Sequence, residues 1–443
     1  MPGIYGGDDV SAIVLDAGTS TFRGGWAGDD APRAVVPTPY SWLPAAASEG
    51  ADGDGDEQME GEKKKETRRR FVGEPGVAWR EGAELDSPLQ DGMVTSPEAY
   101  LALAQHVLTG LLGARAEEHP LLLTEPAWAS RESREQMAEL AFEQLNAPAF
   151  YLANATVCSS FAAGKPTSLL LDVGASHASA IPVVDGFVLR KGIRRAVNLG
   201  GDAVSRALLY DLSVSAPAGS PRSGGLVSIV PQYNVRAKAA VGAGAPAAAQ
   251  LRDRQATDSY SAFARMRVLH EAKESLAQVL DLPWDEAQAT HRPARPFEFP
   301  DGYNDQFGVE RFRAPEVMFS PQLWAGKGDV LPSGEQHPSI PQIVLDAIAA
   351  TDVDSRPTLL QNIVCVGGGT CIPGFNDRLS YQLNIAAPGQ KIKIHSPGNT
   401  VERRYSAWLG GSILASLGTF HQLWVSKQEY EEHGAAIVHA RCR

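Results

Sequence analysis

The sequence predicts an α/β protein of two similar lobes that face each other across a cleft. Three observations predict it. First, the apolar, β-branched run Ala12-Ile13-Val14-Leu15 ends in Asp16-Ala17-Gly18-Thr19-Ser20. Second, 156 residues later, Leu169-Leu170-Leu171 ends in Asp172-Val173-Gly174-Ala175-Ser176. Each is a strand followed by Asp-x-Gly-small-Ser, which reads as a duplicated strand–turn–strand unit. Third, the strand Val364-Cys365-Val366 runs into Gly367-Gly368-Gly369-Thr370. Two duplicated halves set face to face enclose a cleft. At 443 residues, the chain is long enough for two or more structural units.

The elements follow in order along the chain. Residues 45–70 begin as AAASEGADGDGDEQMEGE and end in KKKETRRR. Such a stretch buries too little apolar area to offset its ordering entropy, so a disordered loop with an acidic and a basic half is expected. Ser130 to Leu145 opens with capping residues and places Met137, Leu140, Ala141 and Leu145 on one face of a helix. Residues 214–256, rich in Pro, Gly, Ser and Ala, read as a low-complexity insertion. Ser261 to Leu280 is a second amphipathic helix, and Tyr405 to Val425 reads as a buried helix with a Gly-Gly contact.

Composition excludes several function classes. There are 40 Lys and Arg against 52 Asp and Glu, a formal charge of −12, which argues against a protein that coats nucleic acid with its whole surface. No run of about 18 apolar residues suggests a membrane span. The opening MPGIYGGDDV lacks the basic start and apolar stretch of a secretory signal. The four cysteines (Cys158, Cys365, Cys371, Cys442) make no C-x-x-C pair and no zinc spacing, so a reduced, intracellular compartment is expected.

The two Asp-x-Gly turns suggest phosphate chemistry. Glycine permits positive φ and close approach of a phosphate, and successive N–H groups in such a turn form an anion nest. Thr19, Ser20 and Ser176 would add hydroxyl donors. Asp16 and Asp172 would hold a hydrated Mg²⁺, which takes few carboxylates beside waters and phosphates. Arg23 would reach a phosphate. A single Asp-x-Gly turn is usually an ordinary hairpin. Two copies in matched strand contexts, with a Gly-rich turn suited to a flat purine, argue for a nucleotide. No G-x-x-x-x-G-K-[ST] is present, which disfavours a P-loop.

These residues resemble the actin family. Asp16-Ala17-Gly18-Thr19 through Ala27-Gly28-Asp29-Asp30-Ala31-Pro32-Arg33 resembles its first phosphate loop, and Asp172-Val173-Gly174 its second. Gly367-Gly368-Gly369-Thr370 with Pro373-Gly374 is similar to its adenosine loop. Lys273-Glu274 resembles the pair that contacts the nucleoside, and Arg404-Tyr405 sits where the family packs a basic residue near the base. The C-terminal segment from Trp408 is also similar. The segments Tyr5 to Val10, Phe297 to Asn304, and Phe307-Gly308-x-Glu310-Arg311 resemble the nuclear class-four branch of the actin-related proteins.

The resemblance implies an actin/Hsp70/hexokinase-type ATPase fold that binds ATP and Mg²⁺. It implies a small lobe of residues 1–160 plus 404–443 and a large lobe of residues 161–403. It also implies a groove at Phe161, Gly164, Leu414, Leu417 and Thr419 that accepts helices or a neighbouring actin. A nuclear scaffold subunit of chromatin-remodelling and histone acetyltransferase complexes is then expected. Its partners would be nuclear actin, other actin-related proteins, a long helix of a remodeller or acetyltransferase subunit, and histones or nucleosomes, with no membrane.

The sequence also departs from actin. The position of the Gln that holds the hydrolytic water is Ala155, and that of the His is Ser179. Ala175 stands where an acidic residue follows the second loop, and His177 is two places from the family's histidine. Positioning a water and its proton acceptor contributes rate factors of about 10² to 10⁴. Binding with little hydrolysis is therefore expected, against the alternatives of an active ATPase or a cytoskeletal filament protein. The 45–70 segment replaces the small-lobe loop through which actin contacts its neighbour. Lys63-Lys64-Lys65 and Arg68-Arg69-Arg70 suit either an import signal or a solvated basic loop.

Overall fold

The apolar runs become the central strands of two matched sheets. The computed structural model describes residues 11–44, 69–214, 222, 226–334 and 336–443. In the first sheet, Ile13–Ala17 turns back into Thr21–Trp26, which pairs onward with Ala34–Pro37. On its other side Ile13–Ala17 runs parallel to Leu121–Glu125, and that strand runs parallel to Ala149–Asn154. In the second sheet, Ser168–Val173 turns back into His177–Val184 and runs parallel to Ile363–Val366. The next parallel strand there is Ile394–His395.

The duplication extends to the turns. Gly18 N donates to Thr21 O at 3.0 Å, and Gly174 N donates to His177 O at 3.0 Å. Asp16 faces Arg23 across its hairpin, whereas Asp172 faces Ser179. Ile13, Val14, Leu15, Leu169 and Leu171 are wholly buried, as parallel central strands covered on both faces require. Each sheet anchors its own core. One runs from Ala12 to Cys158 and resumes at Trp408, and the other runs from Leu169 to Leu383.

Helices form where expected, with altered limits. Arg131–Glu139 begins at Ser130, whose side chain caps Ser133 N, and continues as a π-helix over Leu140–Gln144. Met137, Leu140, Ala141 and Leu145 are all buried. The second amphipathic helix is Asp258–Leu276 rather than Ser261 to Leu280, because Thr257 caps it through Tyr260 N. It stops early because the Gln278 and Val279 amides donate to Arg311 O and Pro373 O instead of continuing the helix.

The single helix expected from Tyr405 to Val425 is broken. Ser406–Ser416 is α-helical, Leu417 turns extended, Gly418–Gln422 is a 3₁₀ turn, and Val425–Ser426 is a strand beside Ala149 and Phe150. The Gly-Gly contact lies within that helix. A Cβ on Gly410 would sit 1.8 Å from Cys158 O, so Ser406–Ser416 packs closely on Ala155–Ala162.

Most of the 45–70 segment, including Lys63, Lys64, Lys65 and Arg68, lies outside the described residues, as do Tyr5 to Val10. Its end, however, is a strand: Arg69–Phe71 pairs with Tyr40–Leu43, which also pairs with Glu84–Asp86. The 214–256 segment carries a hairpin, Val235–Ala239 with Ala248–Leu251. Val227 and Ile229 within it join the large core. Among the described residues, no helix is long and apolar enough to cross a membrane.

Candidate functional site

The two Asp-x-Gly turns meet at a cleft of about 360 Å³ between the sheets. Asp16, Gly18, Thr19, Ser20 and Arg23 line it from one side, and Asp172 and Gly174 from the other. Thr19 Oγ1 and Ser176 Oγ lie 3.0 Å apart, so the tips of the two turns touch. Each turn is braced from behind. Thr38 donates to Gly18 O at 2.6 Å. Gly201 N and Asp202 N, opening the helix Gly201–Leu212, donate to Gly174 O at 2.9 Å and Ala175 O at 2.8 Å.

The glycines serve these turns differently from expectation. Neither Gly18 nor Gly174 has positive φ. Gly18 matters through space, since a Cβ there would lie 3.2 Å from both Thr21 O and Arg23 Nη2. Positive φ occurs in the third loop, at Gly367 (+87°), where a Cβ would stand 2.3 Å from Asp172 Oδ1.

The rest of the wall comes from distant segments. Gly367, Gly368 and Gly369 line it, as do Lys273 and Glu274 and the pair Arg404 and Tyr405. Lys273 Nζ donates to Gly201 O at 3.1 Å, and burial pulls its pKa down. Arg404 pairs with Glu274 at 3.1 Å. The residues expected at a nucleotide thus line one cleft, except Ser176, which meets Thr19 at the turn tip without lining it.

The two aspartates differ sharply. Asp16 accepts from Arg23 Nη1 at 2.5 Å and from Thr124 Oγ1 at 2.6 Å. Arg23 also donates to Thr21 Oγ1 at 2.9 Å and lies over the Tyr405 ring at 5.0 Å, so its charge is already engaged. Asp172 faces Ser179, and its carboxyl is pushed up by burial against the pull of His177 and Arg23. Because Arg23 and Thr124 already occupy the Asp16 carboxylate, the half-buried Asp172 carboxyl is the better placed of the two to face a cation.

Ala155, His177 and Ser179 also line the cleft, with Ala175 beside them. Burial pulls His177 down, and its Nδ1 lies 3.1 Å from Ser176 Oγ. Its ring meets Trp128 edge-on at 5.1 Å. Sequence reading missed Trp128, Thr124, Glu125, His270 and Cys371, all in the wall. Arg195 lies over Trp128 at 4.5 Å and pairs with Asp91. Burial lifts the Glu125 carboxyl to about 7 although Arg134 donates to it at 2.9 Å. No local motif marks these residues, which arrive on separate strands and helices.

The comparisons agree with this geometry. The family model described as Actin matches residues 7–443. The chain is 45% identical to Actin-related protein 4 of Mycosarcoma maydis over 543 aligned residues, spanning 100% of each chain. It is 38% identical to Actin-related protein 4 of Emericella nidulans, over 99% of this chain and 98% of that one. For Actin-related protein 4 of Schizosaccharomyces pombe, identity is 36% over 99% of each.

The chain belongs to the actin family.

It is an actin-related protein with the two-lobed actin-type ATPase fold, and membership of the actin family implies nucleotide binding in general terms. The residues that resemble actin's partner groove lie around the packed helices Ala155–Ala162 and Ser406–Ser416. Phe161 and Leu417 are each about two-fifths exposed. Thr419 is exposed, Gly164 opens to space at positive φ, and Leu414 is half-buried against the small core. Leu414 is thus partly a core residue, whereas Phe161 and Leu417 offer apolar surface.

Proposed function

We propose that this actin-related protein is a nuclear, ATP-binding, non-polymerising scaffold subunit of chromatin-remodelling and histone acetyltransferase complexes. One observation carries the reading: Ala155 and Ser179 line the cleft at the positions where actin holds its hydrolytic water with Gln and His. Neither a methyl group nor a short hydroxyl replaces that pair. The phosphate turns remain in place, so the cleft is suited to retain a nucleotide without cleaving it. Asp172 would hold Mg²⁺ through waters, with Asp16 behind Arg23. The ion would neutralise phosphate charge.

The nucleotide then acts as structure. A ligand present at about 1,000 times its dissociation constant stabilises a fold by about 4 kcal/mol. Phe161 and Leu417 support docking of nuclear actin, another actin-related protein, or a long helix of a motor or scaffold subunit. The acidic balance favours basic histones as the nucleosomal contact.

The test is to purify the protein without added nucleotide, denature it, and identify what is released. Stoichiometric ATP is expected. Predominant ADP would favour an active ATPase, a second reading that His177 supports by lining the cleft beside Ser176.

A further inference from the structure

Two pairs of arginines are gathered where like charges should repel. Arg252 Nη1 and Arg254 Nη1 both donate to Tyr233 O, at 3.1 and 3.3 Å. The Arg69 and Arg80 guanidiniums both lie over the Phe71 ring, 5.0 and 3.9 Å from its centroid. The pairs share one surface. The Trp79 ring, next in the chain to Arg80, stacks on Tyr233 with centroids 6.4 Å apart and planes 9° apart, and Arg254 lies over it at 4.3 Å. Burial raises the Tyr260 hydroxyl's pKa while Arg267, Arg80 and Arg254 pull it down, so Arg267 stands with the same group.

Among the described residues, none of these five arginines forms a salt bridge, although Glu81 and Asp253 are chain neighbours of three of them. Carbonyls and rings hold the guanidiniums in place, and each has five N–H donors to share. The surroundings carry the same sign. Residues 212–252 contain no Asp or Glu, in a chain of formal charge −12. Within them, the ribbon Val235–Ala239 with Ala248–Leu251 exposes Arg236 beside short alanine side chains. A two-stranded ribbon is slim enough for the major groove of DNA.

We infer that this arginine face binds the phosphate backbone of duplex DNA. It adds a nucleic-acid contact to the histone contact proposed above, and it depends neither on that contact nor on the nucleotide. A guanidinium presents a planar fork of donors that matches phosphate oxygens. A single phosphate would relieve the repulsion within one pair, whereas a backbone supplies phosphates to both pairs and to the ribbon. Each phosphate neutralised releases counterions, so every contact adds about 0.9 to the slope of log affinity against log salt.

The test uses the full chain and a fluorescein-labelled DNA duplex, with anisotropy read across a salt titration. Arg252→Gln with Arg267→Gln removes two exposed charges and breaks no salt bridge with a described residue. Affinity should fall about tenfold, and the slope should become shallower by about 2. Arg252→Lys with Arg267→Lys should keep most of the slope, because the slope counts charges. Arg131→Gln, on the helix Arg131–Glu139, should change neither quantity. Thermal melting checks that each variant is folded.

No binding by the parental chain at low salt would overturn the inference, as would an unchanged slope in the folded glutamine variant. Polyglutamate competing as well as unlabelled duplex would also overturn it, and would assign the face to an acidic protein instead.

Discussion

Single atoms decide how closely the lobes' supporting helices approach. Gly410 faces the Cys158 carbonyl with no room for a methyl group. Gly410→Ala should therefore destabilise the protein by about 3 kcal/mol, since overpacking against backbone cannot relax by a rotamer change. Gly418→Ala, where a Cβ meets nothing within 4 Å, should change stability by about 0.5 kcal/mol or less. Urea denaturation of both variants checks the pair. At this scale much of the site was legible. Asp16, Gly18, Asp172, Gly174 and Gly367 declare themselves because a turn is written in consecutive residues. Trp128 and Thr124 did not, because they reach the cleft by strand pairing and tertiary packing. The pairing of Arg23 with Asp16 was likewise hidden, since a hairpin's cross-strand register is not spelled out in either strand.

Elements were legible in kind and less so in extent. The 3.6-residue pattern located the helix at Asp258–Leu276, but a cap at one end and two diverted amides at the other set its limits. The apolar stretch after Tyr405 stays buried without staying helical, because Phe420, Trp424 and Tyr151 pack edge to face around a 3₁₀ turn. Long-range charge also joins elements invisibly to sequence. Arg378, on the helix Phe375–Ala386, donates to both Glu316 oxygens at 2.6 and 3.0 Å, with both side chains fully buried. Arg378→Met should lower stability by about 3–5 kcal/mol, because Glu316 is left buried without its partner. Adding Glu316→Gln should recover part of that loss, measured by the same denaturation midpoints.

For the whole molecule, duplication was the strongest signal, because it repeats a pattern at two places and so cannot be an accident of one turn. What joins the halves was not readable: Trp79 and Tyr233 are far apart in the chain, and the large-lobe partner falls in a stretch whose composition suggests only a loop. The distribution of thiols has a consequence for this two-lobed body. Burial lifts Cys158 and Cys365 to about 12 and Cys442 to about 11, while Cys371 is partly exposed on the cleft wall. A maleimide should therefore label one sulfur per folded molecule and four after unfolding, counted by intact mass. ATP added beforehand should slow that single labelling. The protein carries its own gauge of whether the space between its halves is filled, readable without any engineered probe.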